Sequence, residues 1–426
     1  MRPRFSGLWR QPEFLTFWAA SAISDVGTQV SMLALPLIAA LTLDATPWQM
    51  GLLAAAGTAP TLLVGLFAGV WVDRLRRRPV MIAADIGRAA LLATIPLAAA
   101  ASVSRIEVLY AVALSIGALN VLFDVAFYAY IPSLVSRDRL VEANSKIETT
   151  SALAQVTGPG AGGALVATLG GPVAMLIDAL SFLLSAVFTR RIRVSEPAPQ
   201  RDAREGVFEE IREGLSVVAR HPILRVLGGC SATRGLFGRM FLAVYILFMT
   251  RDLGLGAVGV GLVLATGGVG SLAGALVAER AARRFGPGPT MIGAQLLFGV
   301  TGLAVPLAVL VPRFALELVV ASEFAQWMTL LVYSINAVSA RQALTPDRLL
   351  GRVNATMRFA AGGALPIGSL LGGAVGGMIG LPLTLVVAEL GMLLASLRLL
   401  LSPVRRLRTL DATGRAAPAP ALGRHF

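Results

Sequence analysis

The chain has 426 residues, of which 56% are hydrophobic and only 14% are charged, and its mean hydropathy is +0.74. A soluble protein carries about 25% charged residues and does not repeat apolar runs long enough to cross a bilayer. The composition therefore excludes an ordinary soluble protein. The net charge is +13, but the cations are spread between apolar runs, which argues against a nucleic-acid-binding surface.

Twelve apolar runs follow one another along the chain, and we expect each to cross the membrane as a helix. Barrel strands would give alternating segments of about ten residues, whereas these runs are longer and do not alternate. The predicted fold class is an all-α polytopic membrane protein with twelve transmembrane helices. The predicted spans are 14–43, 48–72, 79–103, 106–132, 140–169, 171–190, 223–250, 255–278, 288–311, 314–340, 351–379 and 381–403.

The cations sort to one side of these spans. Of the 37 lysines and arginines, 29 lie in alternate segments that begin with the N-terminus, and the predicted outer loops hold only Arg105, Arg251 and Arg313. Cytoplasmic loops carry the excess of Lys and Arg. We therefore predict a multi-pass protein of the cell (inner or plasma) membrane with both termini cytoplasmic. The basic N-terminal residues are interpreted as the start of a retained helix, not a signal peptide.

A repeat at an offset of 210 residues divides the chain into two pseudo-symmetric six-helix halves. Six residues recur at this offset: Asn144, Gly158, Gly162, Gly163, Gly170 and Pro172 return as Asn354, Gly368, Gly372, Gly373, Gly380 and Pro382. Parallel repeats of this kind are typical of transporters whose substrate site lies between the halves. The predicted domains are an N-terminal half (1–189), a cytoplasmic linker with an interfacial helix (190–222), a C-terminal half (223–403) and a cytoplasmic tail (404–426).

The sequence offers little for enzymatic chemistry. Cys230 is the only cysteine and His221 and His425 are the only histidines, so neither an intramolecular disulfide nor a histidine–cysteine metal site is expected. No phosphate-binding loop is present, and no Ser/His/Asp set lies in the spans. We predict a protein that is not an enzyme, has no cofactor, and is driven by an ion gradient instead of ATP.

The stretch GVWVDRLRRR, residues 69–78, interrupts the apolar sequence between spans 2 and 3. It resembles the G-x-x-x-D-R-x-G-R-R/K signature of the major facilitator superfamily, with Arg76 in place of the second glycine. The resemblance implies a cytoplasmic latch, in which an acid accepts hydrogen bonds from a helix start and an arginine pairs with a carboxylate on span 4. The residues of this predicted latch are Gly69, Asp73, Arg74, Arg77, Arg78 and Asp124. The alternative, that the arginines only determine topology, explains Arg74, Arg76 and Arg78 but not Asp73.

A second signature, GPGAGG at 158–163, lies in span 5. It matches the G-P-x-x-G-G of the superfamily's antiporter motif, which implies export. Its residues are Gly158, Pro159, Gly162 and Gly163. Pro159 removes a backbone hydrogen bond and the glycines permit close helix packing, so packing alone is the alternative explanation.

The closer resemblance is to the macrolide-efflux and enterobactin-exporter branch of drug:proton antiporters. It rests on DIGRA (85–89), PSLVSRDRLVEAN (132–144), IDALSFLLS (177–185), ARQALTPDRLLGRVNATMRF (340–359) and ALPIGSLLGG (364–373). It implies a secondary active transporter, a multidrug-resistance type antiporter that exports an amphipathic drug, macrolide-like compound or siderophore against protons. The expected partners are that small molecule and the lipid bilayer, with no nucleic acid, and the expected state is a monomer. The alternatives are a lipid or lysophospholipid translocator and a non-transporting membrane sensor or scaffold.

Ionisable residues inside the spans are candidates for coupling, because burying a charge in a bilayer is costly. Asp25 on span 1 is the first candidate proton carrier, and its repeat position falls within one residue of Arg234 on span 7. We predict that the two residues pair across the cavity, although a static ion pair is the alternative. The further candidates are Arg239 on span 7 and Glu323 on span 10 for the cavity, a local Asp85–Arg88 pair, and a gate between Glu148 and Arg358.

Overall fold

A computed structural model describes residues 7–65, 71–72, 74–194, 196 and 207–408, apart from the side chains of 207–212 and 347–348. The described residues form helices and connecting turns, with no strand among them. We number the helices α1 to α13. The N-terminal half contains α1 Pro12–Leu37, α2 Pro47–Leu63, α3 Arg77–Ala100, α4 Ile106–Leu134, α5 Leu140–Leu169 and α6 Gly171–Arg191. The linker contains α7 Val207–Arg220. The C-terminal half contains α8 Pro222–Arg251, α9 Ala257–Phe285, α10 Pro287–Gly302, α11 Ala315–Leu344, α12 Asp347–Ile379 and α13 Leu381–Leu400.

Ten of the described helices are long and apolar enough to cross a membrane. The two remaining predicted spans correspond to α2, which is described over 17 residues to Leu63, and to α5, which has 30 residues. Glycines, Pro159 and a polar first half lower the hydropathy of α5, although its length suffices for a bilayer of about 30 Å. The all-α class of the prediction is confirmed.

The turns between helices repeat as the sequence does. Gly170 ends α5 and begins α6 with φ of 84°, and Gly380 separates α12 from α13 with φ of 85°. Residues with a side chain are strained in this left-handed region, so glycine suits both positions. Pro172 and Pro382 follow two residues later, within the first turn, where a missing N–H costs no helical hydrogen bond. The two hairpins are therefore copies of one turn at an offset of 210 residues.

The chain divides into two compact units. Unit 1 comprises Met1–Ala203, Arg239–Gly268 and Leu365–Thr384. Its buried core is built from rings and aliphatic chains of α1, α3 and α4, with Phe17 stacked on Phe127 at 4.6 Å. Unit 2 comprises Arg204–Gly238, Val269–Ala364 and Leu385–Phe426. Its core joins residues of α8 to α13, among them Leu227, Met291 and Leu399. The domain boundaries given above for the sequence stay a prediction.

The linker helix α7 packs within unit 2. Glu213 forms an ion pair with Arg352 near the start of α12, and Val218 is buried in the core of the unit. A side chain at Gly214 would stand 2.6 Å from the Arg352 carbonyl oxygen, so the two backbones meet at this glycine. The linker therefore contains a helix that lies against α12, while the interfacial position predicted from the sequence stays a prediction.

Candidate functional site

The latch predicted around the α2–α3 connection is described only in part, because Gly69 and Asp73 lie outside the described residues. Arg74 is exposed. Arg77 and Arg78 begin α3, and their backbone N–H groups donate to the two carboxylate oxygens of Glu196 at 2.6 and 2.9 Å. A carboxylate at this position satisfies donors that have no partner within the helix and complements the helix dipole.

The Arg78 side chain makes the reciprocal contact at the end of α6. Its Nε donates to the Thr189 carbonyl at 3.0 Å, and its terminal nitrogen donates to the Arg190 carbonyl. These carbonyls lie in the last turn of α6, where intrahelical donors run out. Arg78 therefore contacts the end of α6 in addition to carrying a positive charge. We call the contacts of Arg78 and Glu196 with the two helix ends the α3–α6 clamp.

A polar cluster lies in the core of unit 1 around Arg88. The guanidinium lies between the rings of Phe123 and Phe182, 4.1 and 4.2 Å from their centroids. It forms an ion pair with Asp85 and donates to Asn120 at 2.9 Å. The side chains of Asp85 and Arg88 are 0% and 4% exposed, so the sequence-predicted pair is a buried one.

Hydrogen bonds extend this cluster to two more helices. Ser185 of α6 donates to Asp85 at 2.8 Å. Asp178, also on α6, accepts from Ser181 at 2.9 Å and from Ser31 of α1. Asp124 of α4 interacts electrostatically with Arg88. Nothing in the sequence singled out Ser31 or Asn120, because single polar residues in a span carry no spacing signal. Ser185 ends the IDALSFLLS segment, whose resemblance gave it no role.

The candidate proton carrier Asp25 is half-buried on α1. Its carboxylate accepts a hydrogen bond of 2.5 Å from the Ser151 hydroxyl on α5. Glu148, one turn earlier on α5, is exposed and accepts a hydrogen bond of 3.3 Å from Tyr128 of α4. The Asp25 carboxylate of α1 therefore contacts α5 at Ser151, one helical turn after Glu148, and each carboxylate accepts a hydrogen bond from a hydroxyl group. Arg358, the predicted gate partner of Glu148, is exposed on α12.

Arg234 occupies a polar position within unit 2. It donates to the side-chain oxygen of Gln295 on α10, and its guanidinium carbon lies 4.5 Å from the Tyr333 ring and 5.4 Å from the Phe298 ring. Stacking of guanidinium on aromatic faces stabilises a cation away from water. Arg239, five residues later on α8, makes no hydrogen bond, ion pair or ring contact with the residues that the structure describes.

Glu323 is buried on α11, only 4% exposed. The indole nitrogen of Trp327 donates to its carboxylate at 2.7 Å. One residue earlier, Ser322 donates to the Thr301 carbonyl of α10 at 2.6 Å and accepts from Gln326 at 3.2 Å. Ser322 therefore faces α10, and Glu323 lies beside it in the buried part of α11.

The glycines of the GPGAGG segment hold α5 against two neighbours in unit 1. A Cβ on Gly162 would stand 3.2 Å from the Val30 Cα of α1. A Cβ on Gly163 would stand 2.5 Å from the Ala257 carbonyl oxygen and 3.0 Å from the Gly261 Cα of α9. A Cβ on Gly261 would stand 2.6 Å from the carbonyl oxygen of Pro159. No side chain fits at these positions without separating the helices.

The same geometry recurs at the repeat offset. Helices α2 and α12 cross at Gly51 and Gly373. A Cβ on Gly373 would stand 2.8 Å from the Gly51 Cα, and a Cβ on Gly51 would stand 2.6 Å from the Gly373 Cα. Residues 163 and 373, and residues 51 and 261, each differ by 210. We call these two contacts, Gly163–Gly261 and Gly51–Gly373, the paired glycine crossings. They join α5 to α9 and α2 to α12, so each links a helix of one half to a helix of the other.

An ion pair lies near the crossings, on the predicted outer side of unit 1. Arg251, the last residue of α8, pairs with Asp44 in the α1–α2 connection and donates to the Ala45 carbonyl at 3.0 Å. Asp44 adopts a positive φ of 47°. The Asp44 side chain is 92% exposed, so the contact is of the surface kind that contributes little to stability.

Comparison with known proteins agrees with this architecture. The family model described as transmembrane secretion effector matches residues 5–425. The multidrug efflux pump Tap of Mycolicibacterium fortuitum is 31% identical over 94% of this chain and 98% of its own length. The enterobactin exporter EntS of Citrobacter koseri is 28% identical over 93% of this chain and 94% of its own length.

Solved structures of transporters share the fold at low sequence identity. A bacterial homologue of the lysosomal transporter Spinster, in an inward-facing and occupied conformation, matches with a TM-score of 0.71 and 15% identity over 97% of this chain and 100% of that one. A bacterial homologue of the iron transporter ferroportin, in an inward-facing state, matches with a TM-score of 0.72 and 16% identity over 93% and 99% of the two chains. The chain therefore belongs to the transmembrane secretion effector family of the major facilitator superfamily, and it is a multi-pass membrane transporter.

Proposed function

We propose that this transporter is a secondary active exporter that exchanges protons for an amphipathic small molecule. The names of the relatives support the direction, since one is a multidrug efflux pump and the other a siderophore exporter that align over nearly their whole length. Drugs, macrolide-like compounds and siderophores are therefore the cargo classes to test. The energy source we propose is the proton gradient across the cell membrane, with both termini on the cytoplasmic side.

The observation that carries the mechanism is the pair of glycine crossings. Helix contacts made by glycine bring backbones together without directional bonds, so the helices separate without leaving an unpaired polar group in lipid. Since each crossing joins the two halves, we propose that both crossings close the outer side in one state and separate in the other. Alternating access requires such an element with two arrangements.

Proton coupling is assigned to Asp25. Its carboxylate lies 14 residues into the span helix α1 and is held by the Ser151 hydroxyl. In its ionised form it accepts this hydrogen bond, and in its protonated form it can donate one. We propose that Asp25 pairs with Arg234 in one state of the cycle and that protonation releases the arginine for a polar or anionic group of the cargo. Glu323 is the second candidate.

The test uses purified protein in vesicles with an imposed pH gradient, screened against macrolides, other drugs and siderophores. Asp25→Asn should abolish uphill transport while downhill exchange of cargo continues, because asparagine keeps the shape of the side chain but cannot bind and release a proton. Asp44→Asn, which removes a carboxylate from the surface of the same unit, is the matched control and should transport at close to the wild-type rate.

Three outcomes contradict the proposal. If Asp25→Asn concentrates cargo with the wild-type pH dependence, Asp25 is not the coupling residue. If no drug or siderophore moves but fluorescent lysophospholipid changes leaflet, the protein is a lipid translocator instead. A reconstituted protein that moves neither class would favour a membrane sensor or scaffold.

A further inference from the structure

We propose that unit 2 carries a binding site for an anionic phospholipid with two phosphates in its headgroup. The site is formed by the end of α9 and the segment that follows α13. We call it the arginine corner, and its members are Arg280, Arg283, Arg284, Arg405, Arg406 and Arg408. All six are exposed. This inference concerns a lipid that stays bound to the protein and is separate from the transported cargo.

The charge of the arginine corner is largely uncompensated. Arg283 pairs with Glu279 at 2.8 Å, which is the only ion pair at the corner within the described residues. Arg284, Arg405 and Arg406 have no carboxylate within ion-pair distance in the part of the chain that the structure describes. Topology alone would require basic residues on this side of the membrane, but it would not require two separate segments to bring theirs together.

Specific contacts join those two segments. The Gly288 N–H donates to the Leu407 carbonyl at 2.9 Å, and Arg408 Nη1 donates to the Phe285 carbonyl at 3.4 Å. Gly286 has φ of 89°, and a Cβ there would stand 2.9 Å from the Arg408 Cα. The α9–α10 turn is therefore built to receive the segment after α13.

The segment after α13 is also anchored to the core of unit 2. Ser402 caps the short 3-10 helix Pro403–Arg406 by accepting the Val404 N–H at 3.2 Å. Val404 and Leu407 are buried in the core of unit 2 and alternate with the exposed arginines. This alternation fixes the direction of Arg405, Arg406 and Arg408 away from the core. The corner is therefore a formed surface before any ligand arrives.

Apolar side chains continue from the arginine corner along the spans. Leu276 lies one turn before Arg280 and is 70% exposed, and Leu401 lies one turn before Arg405 and is 72% exposed. Phe285, at the end of α9, is 54% exposed. Exposed apolar residues on a span contact acyl chains, while arginines at the helix end reach the headgroups.

This arrangement selects a lipid over a free anion. Arginine binds phosphate through two parallel hydrogen bonds, and several unpaired arginines suit more than one phosphate. Basic pockets at the ends of transmembrane helices on the cytoplasmic side are suited to anionic headgroups. A soluble phosphate would use the cations but would leave the adjacent apolar surface unused. A diphosphatidylglycerol uses both.

The experiment measures lipid binding to the full-length purified protein. Wild type, Arg405→Gln/Arg406→Gln and the matched control Arg105→Gln/Arg313→Gln are titrated with diphosphatidylglycerol in neutral detergent, and bound lipid is counted by native mass spectrometry. The corner variant should bind on the order of tenfold more weakly than wild type. The control loses the same charge from the predicted outer loops and should bind like wild type.

Further arms make each outcome decisive. Arg405→Lys/Arg406→Lys keeps the charge but not the bidentate geometry, and it should bind between wild type and the Gln variant. Equal binding by wild type and the Gln variant would overturn the site. Equal binding of phosphatidylglycerol would overturn the two-phosphate headgroup, and full competition by inorganic pyrophosphate would show a simple anion site. Unfolding temperatures in neutral detergent exclude misfolding, and transport in phosphatidylcholine vesicles tests the proposed function separately.

Discussion

Substituting alanine for Gly373 tests the paired glycine crossings most directly. The new Cβ would stand 2.8 Å from the Gly51 Cα and 2.8 Å from the Pro47 carbonyl oxygen. Both are backbone atoms, which cannot move aside as a side chain can. Ordinary contact begins at 3.4 Å, so α2 and α12 have to separate by about 0.6 Å. Overpacking of this kind costs about 1–3 kcal/mol.

The cost falls on the state in which the crossing is closed. If the crossing separates in the other state, a penalty of about 1–3 kcal/mol changes the ratio of the two states by roughly 5- to 150-fold. Gly377→Ala is the matched control, because it lies one turn later on α12 and its Cβ would meet nothing within 4 Å. Both variants gain the same helix propensity from alanine, so comparing them isolates the clash.

The assay is double electron–electron resonance spectroscopy, which measures the distance between two spin labels. Spin labels on cysteines at Leu41 and Asp252, in a Cys230→Ser background, report on the outer ends of α1 and α8. We expect Gly373→Ala to increase the population with the longer distance and Gly377→Ala to leave the distribution unchanged. An unchanged distribution in Gly373→Ala, at normal folding, would refute the assignment of the crossing to one state.

Three further predictions follow from the polar contacts and the predicted topology. Arg88→Gln leaves Asp85 buried without its cation, so the protein should lose about 3–5 kcal/mol of stability. Thermal unfolding in detergent measures this loss, and a loss below about 1 kcal/mol would contradict the buried pair. Burial lowers the pKa of His221, whose Nδ1 accepts the Leu224 N–H at 3.3 Å at the start of α8. The unfolded chain therefore binds more protons than the folded one below about pH 6.5, and the free energy of unfolding should fall as the pH drops below that value. His221→Asn should reduce this pH dependence, because asparagine keeps the helix cap but does not titrate. Cysteines at Pro47 or Val311 in the Cys230→Ser background should react with an impermeant reagent on intact cells and one at Ala203 should not, and the reverse pattern would overturn the predicted orientation.

The repeat was the strongest predictor of structure in the sequence. Its offset of 210 residues anticipated the copied hairpins at Gly170 and Gly380 and included Gly163 and Gly373, one residue of each glycine crossing. Their partners Gly261 and Gly51 were found only in the structure. Hydrophobic runs placed the helices because a bilayer demands long apolar segments and satisfied backbones. Neither pattern depends on knowing which side chains meet.

The partners of polar residues could not be obtained in this way. Local spacing was enough to pair Asp85 with Arg88, since they lie one turn apart on α3. Nothing in the sequence pointed to Glu196 as the cap of α3 or to Gln295 as the partner of Arg234, because each contact joins elements far apart in the chain. Such contacts depend on how helices rotate about their own axes, which periodicity fixes only for strongly one-sided helices.

The two kinds of helix contact in unit 1 differ in what their rupture would leave behind. Around Arg88, hydrogen bonds tie α3 to α4 and α6, and Asp178 ties α6 to α1. Pulling these helices apart would strand charges in a medium without water, which costs several kcal/mol per group. Parting α2 from α12 at Gly51 and Gly373 would strand nothing. We infer that helices α1, α3, α4 and α6 move together during transport, and that the two halves part at the paired glycine crossings, where separation leaves no side-chain hydrogen bond or ion pair broken.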